Sequence, residues 1–116
     1  MKAKAYGIDV KRGVVNRGNL YRISRAMQRA MEGRPITVGF LGGSITQGCL
    51  SSTLETCYAY LVYRWWRERF PGSEVTYLNA GIGGTSSQFG VARVDEDVLA
   101  FKSDFVIIEF SVNDEN

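Results

Sequence analysis

Histidine is absent from all 116 residues, so this chain by itself forms no serine–histidine pair, no histidine metal site and no imidazole general base. Cysteine is nearly as scarce. Cys49 and Cys57 are too few for a disulfide framework and, without histidine, cannot complete a standard zinc site, which leaves two reduced, packed thiols. Two prolines among 13 glycines exclude collagen-like and proline-rich linker classes. No apolar run approaches the roughly 20 residues that cross a bilayer, and the reading is a soluble protein with no membrane partner. Charge is nearly balanced, with 14 basic against 12 acidic side chains and a net charge of +2. Without a basic tract there is no footprint for nucleic acid. Arg22, Arg25 and Arg29, like Arg64, Arg67 and Arg69, read as solvated helix faces. Met1 to Val10 lacks the apolar core of a secretory signal, so a cytoplasmic location is expected.

What remains is 45% hydrophobic and 22% charged, the composition of one globular domain without repeats or low-complexity segments. Residues 1–18 form an irregular arm, and 19–116 hold the folded part. Asn19 can cap a helix with apolar residues Leu20, Ile23, Met27 and Met31, closed by Gly33 and Pro35. Ile36 to Leu41 is a short apolar strand stopped by Gly42-Gly43. Ser52 and Glu55 have capping-box spacing ahead of a helix marked by Leu54, Tyr58, Leu61, Val62, Trp65 and Phe70. Val75 to Leu78 is a second strand, Gly81 to Ser87 a glycine-rich loop, and Val91, Val94, Val98 and Leu99 predict a further helix with Asp95, Glu96 and Asp97 outward. Phe105 to Phe110 is a third strand, apolar on both faces until Glu109, which is expected to be buried and paired with an arginine. Strict alternation of strand and helix predicts a parallel sheet with helices on both sides.

In such a sheet ligands bind beyond the carboxyl ends of the strands. Each end here runs into a polar or glycine-rich segment: Gly42-Gly43-Ser44-Ile45-Thr46-Gln47-Gly48, Asn79-Ala80-Gly81-Ile82-Gly83-Gly84-Thr85, and Ser111-Val112-Asn113-Asp114. Three strands therefore deliver a hydroxyl, free backbone N–H groups and a side-chain amide to one rim, the parts of an acyl-transfer site. Competing patterns fail on detail. The spacing Gly43 to Gly48 imitates a phosphate loop, but Cys49-Leu50 stand where Lys and Ser or Thr are needed; Ser86 occupies the third glycine of a dinucleotide fingerprint. Thr46 in place of the second glycine of a G-x-S-x-G elbow argues against the α/β-hydrolase fold. Cys49, an alternative nucleophile by position, has no neighbouring histidine to activate it and reads as a packed thiol.

From Asn19 onward the chain resembles the SGNH hydrolases, the GDSL-like lipase and acylhydrolase superfamily, whose first three sequence blocks it matches in order. The resemblance implies a three-layer α/β/α fold with a flavodoxin-like parallel sheet, incomplete at its carboxyl end. It also implies Ser44 as nucleophile and oxyanion N–H donor, Gly84 as a second N–H donor and Asn113 as side-chain donor, with no metal or organic cofactor. The chain departs from the pattern at Gly43, where the GDSL form has an acid, and at Ser111, where it has glycine. The family's last block, an aspartate and a histidine three residues on, is not in this sequence. Residues 19–116 are thus expected to be the amino-terminal part of one SGNH domain. The Gly-Gly-Ser-Ile-Thr form resembles carbohydrate-esterase-like members, which implies short-chain esters and acetylated sugars as small-molecule substrates. The rival reading is a non-catalytic ligand-binding or interaction module retaining the pocket; a nucleotide binder is a remote third. Two expectations follow: negligible esterase turnover by the isolated chain, and a second chain or copy covering the strand edge at 105–110.

Overall fold

The computed structural model describes residues 7–114. Its centre is β1 (Ile36–Gly42), the strand whose run of apolar residues leaves no polar face, and six of its seven residues are buried. β2 (Val75–Gly81) and β3 (Phe105–Glu109) flank it in the order β2-β1-β3, both parallel to it. The strand order is the flavodoxin-like one. Register brings Gly42 of β1 beside Gly81 of β2 and Glu109 of β3. The carboxyl ends of all three strands are therefore level, so the segments that follow them emerge at one rim.

Because successive strand residues point to opposite faces, β1 divides the core in two. Ile36, Val38 and Phe40 pack against Ala26 and Ala30 of α1 (Tyr21–Met31) and Ala59 and Trp66 of α3 (Tyr58–Arg69). Leu41 packs on the other face with Val98 and Phe110, under α4 (Ser87–Asp97). Helices thus cover both sides of the sheet.

The helices exist where periodicity places them, but the faces they bury are rotated. In α1 the inward stripe is Ile23, Ala26, Met27 and Ala30, while Leu20 and Met31 stay exposed. The small alanines let the helix approach β1 closely, which outweighs the larger apolar area of the end residues. Asn19 accepts a hydrogen bond from the Tyr21 N–H as a cap would (2.9 Å). The expected capping box at Ser52 is instead formed by Thr53 and Thr56, around a single 3-10 turn, Leu54–Thr56. Extended backbone at Cys57 (ψ 156°) then separates that turn from α3. Trp66, 2% exposed, is the core tryptophan; Trp65 lies half outside at 46% and packs edge-on against it. In α4 the buried positions are Gly90 and Arg93, with Val91 facing solvent. β3 hydrogen-bonds to β1 alone among the described residues.

Candidate functional site at the sheet rim

The turn after β1 is the first part of the site. Ser44 opens a one-turn helix, α2 (Ser44–Gln47), closed by Gly48 at φ 103°. As the first helical residue, Ser44 has a backbone N–H with no acceptor inside the helix. Side chains from two other elements hold this turn. Asn79 of β2 donates through Nδ2 to the Thr46 carbonyl (2.8 Å) and to the Tyr77 hydroxyl (2.8 Å), while its Oδ1 accepts from the Gly81 N–H (2.9 Å). Thr46, fully buried, shares a hydrogen bond with the Tyr58 hydroxyl at the start of α3 (2.7 Å). Burial of the Tyr58 phenol raises its pKa above the usual tyrosine value, so it stays protonated and keeps that bond. The approach of β2 to the turn is very close: a Cβ on Gly81 would lie 2.4 Å from the Gln47 nitrogen. Only glycine fits there.

The loop after β2 is the second part. Gln47 reaches across and accepts from the Gly83 N–H through Oε1 (2.8 Å), and a Cβ on Gly83 would meet both Gln47 Oε1 (3.0 Å) and Ser44 Cβ (3.6 Å). Ser44 and Gln47, three apart on one helical turn, thus face the same glycine. Gly84 follows at φ 76°, a conformation that favours glycine.

The third part comes from the turn after β3. Asn113 Nδ2 donates to the Thr85 carbonyl (3.0 Å) and lies over Gly43, where a Cβ would come within 2.9 Å of it. A primary amide carries two hydrogens, so one remains for a ligand. The neighbouring Asp114 accepts from the Ser87 N–H at the start of α4 (2.8 Å), and its hydrogen bonds to Ser87 hold the carboxyl below the usual range. Gly43, Ser44, Ile45, Glu109 and Asn113 border a hollow of about 10 Å³ between the first and third parts.

Beneath the rim lies a node that sequence reasoning missed. The Gly42 carbonyl accepts from the Ile82 N–H (3.0 Å) and from Nη2 of Arg93 (3.2 Å), whose Nη1 pairs with Asp97 (3.2 Å). Arg93 is 7% exposed. The signal for it was an arginine three residues after Gly90 on the helix face that packs against the sheet. Glu109, expected to pair with an arginine, instead accepts from the N–H and hydroxyl of Ser111, because the chain turns back immediately after β3. Cys49 is exposed beside Gln47, and Cys57 is buried; neither is bonded to the other.

Among the described residues no group of three histidine, cysteine, aspartate or glutamate side chains is placed to hold a metal, and no helix is long and apolar enough to cross a membrane. A family model described as GDSL-like lipase/acylhydrolase matches residues 40–116. Two solved structures superpose closely. One is a two-domain esterase (CEX) active on acetylated mannans, co-crystallised with mannopentaose: 60% identity, TM-score 0.88, covering 90% of this chain and 29% of that one. The other, also described as a two-domain esterase (CEX) active on acetylated mannans, has 62% identity and a TM-score of 0.84 over 86% of this chain and 27% of its own. This chain thus spans under a third of the length of either. No curated protein matches. Nothing in these likenesses supports a second chain on the β3 edge.

Proposed function

Since the chain belongs to the GDSL-like lipase/acylhydrolase family, we propose that its sheet rim is the nucleophile and oxyanion portion of a serine esterase acting on acetyl esters of a carbohydrate. In this reading Ser44 Oγ attacks the ester carbonyl after losing its proton to a base supplied from outside these residues, since the chain contains no histidine. The Ser44 N–H, the Gly84 N–H and the remaining Asn113 Nδ2–H receive the developing oxyanion, the alcohol leaves, and water then releases the acid. Residues 19–116 are accordingly the amino-terminal portion of one catalytic domain, with 1–18 as an arm.

The observation that carries the reading is convergence. Asn113 Nδ2 sits against Gly43, and Gly83 sits against Ser44, so segments from three strands meet within a few ångström. The carbohydrate ester rests on the two esterases of about 60% identity.

The test uses the native gene product carrying these residues. Acetate release from acetylated mannan is expected, is abolished in Ser44→Ala, and falls about 100- to 1,000-fold in kcat for Asn113→Ala, the usual loss of one oxyanion donor. Unaltered kcat in Asn113→Ala removes that residue from the oxyanion hole. No turnover, and no labelling of Ser44 by a fluorophosphonate, favours the non-catalytic pocket.

A further inference from the structure

On the side of α2 away from the hollow beside Asn113 lies a larger cavity, about 460 Å³, between the 3-10 turn Leu54–Thr56, α3 and the end of β2. That volume is in the range of small-molecule sites, roughly 300–1,000 Å³. Tyr60 and Tyr77, whose rings meet edge to face at 5.7 Å, form an aromatic wall. Gln47 and Glu55 supply polar groups at its border. Not every polar group there is free. Asn79 spends its amide on Thr46, Tyr77 and Gly81, as described above. Gln47 Oε1 is taken by the Gly83 N–H, but its Nε2 hydrogens have no acceptor and the Glu55 carboxylate has no donor among the described residues. The cavity therefore offers an amide donor, a carboxylate acceptor and aromatic rings.

We infer that this cavity is a subsite for a neutral hexopyranose unit of the substrate, joined to Ser44 through Gln47. A pyranose ring presents C–H groups on its faces and hydroxyls around its edge, matching rings that take the face and an amide and carboxylate that take the edge. The unpaired Glu55 carboxylate repels uronic acids and phosphorylated sugars, which selects neutral ones. Proximity follows from Gly83, whose N–H bonds Gln47 Oε1 and on which an added Cβ would lie 3.6 Å from Ser44 Cβ: the cavity begins one side chain from the nucleophile. The assignment rests on the carbohydrate-ester reading but concerns binding, which needs no catalytic base.

The test is a titration of the native gene product carrying these residues, selectively isotope-labelled on glutamine and tyrosine and followed by amide NMR, with mannopentaose, a galacturonic acid oligomer and octanoate as probes. Mannopentaose is expected to shift the amides of Gln47, Tyr60 and Tyr77, with the galacturonate oligomer and octanoate leaving them unmoved. Glu55→Gln, an exposed change that leaves the fold intact, is expected to weaken mannopentaose binding at least about tenfold, and Tyr60→Ala to do the same or more. Shifts with octanoate instead of mannopentaose assign the cavity to an acyl chain and overturn the inference, as does equal mannopentaose affinity in Glu55→Gln and the parent. Fluorophosphonate labelling of Ser44 in the native gene product is read separately. Labelling without sugar binding defeats the subsite alone; sugar binding without labelling defeats the esterase reading alone.

Discussion

The hydrogen bond between Thr46 and Tyr58 ties α2 to α3 and can be removed from either end without changing side-chain volume much. Thr46 has no exposed surface, and among the described residues its hydroxyl has no partner but the Tyr58 phenol 2.7 Å away. Tyr58→Phe leaves a buried hydroxyl unsatisfied, a change that costs about 1–3 kcal/mol, well above the roughly 1 kcal/mol a hydrogen bond contributes net. Thr46→Val strands the phenol in the same way, at the lower end of that range because Tyr58 is only half-buried. In the double variant two apolar groups face each other, and such a replacement is close to neutral. The two single costs therefore fail to add, with a coupling close to their sum, about 2–4 kcal/mol. Urea denaturation of the four proteins measures it, and at this chain length each kcal/mol also moves the melting temperature by about 4 °C. Additive single costs, with the double variant the least stable of the four, would refute the claim that this bond is what both groups need. Preserved stability in Tyr58→Phe alone would show that Thr46 finds another acceptor.

Gly81→Ala is expected to destabilise by about 1–3 kcal/mol or more, since the added Cβ meets α2 backbone at 2.4 Å rather than a side chain that can swing away; the readout is the denaturation midpoint, and an unchanged value contradicts the close approach. Trp66→Ala should cost about 3–5 kcal/mol and Trp65→Ala much less, because only Trp66 is fully enclosed; parity between them in thermal melts would be inconsistent with the observed burial. Tyr77 is pushed up to about 12, chiefly by burial, so the folded protein holds its proton more tightly than the unfolded chain does. Its contribution to stability is complete below the unfolded value near 10 and is lost as pH rises through about 12. Absorbance titration in the parent and Tyr77→Phe should assign the last tyrosine transition to Tyr77, and a parent curve with no late transition counts against it.

How much of this was legible beforehand follows the range of the interactions. Strand positions and the three rim segments were readable, because apolar runs, glycine punctuation and the alternation of strand with helix are local patterns, and alternation implies a parallel sheet; the β2-β1-β3 order came from the family resemblance alone. The segments holding Ser44, Gly84 and Asn113 were readable for the same reason, each lying just past a strand end, and the resemblance picked those three residues within them. Which helix face turns inward was not, since it depends on how closely a partner surface approaches: Ala26 and Ala30 go in and Met31 stays out because β1 requires a short separation. Nor does spacing along the chain disclose Arg93 gripping the Gly42 carbonyl, 51 residues away, Asn79 bonding Thr46, or Gln47 turning toward Gly83. Arg93 and Asn79 look like ordinary polar residues until folding takes them wholly or partly out of water and each hydrogen bond must find a partner within the protein, while Gln47, still exposed, meets Gly83 only because the β2 loop is brought beside it. The sequence by itself determined the sheet and the chemistry available at its rim; only the packed structure decided which polar groups hold that rim in shape.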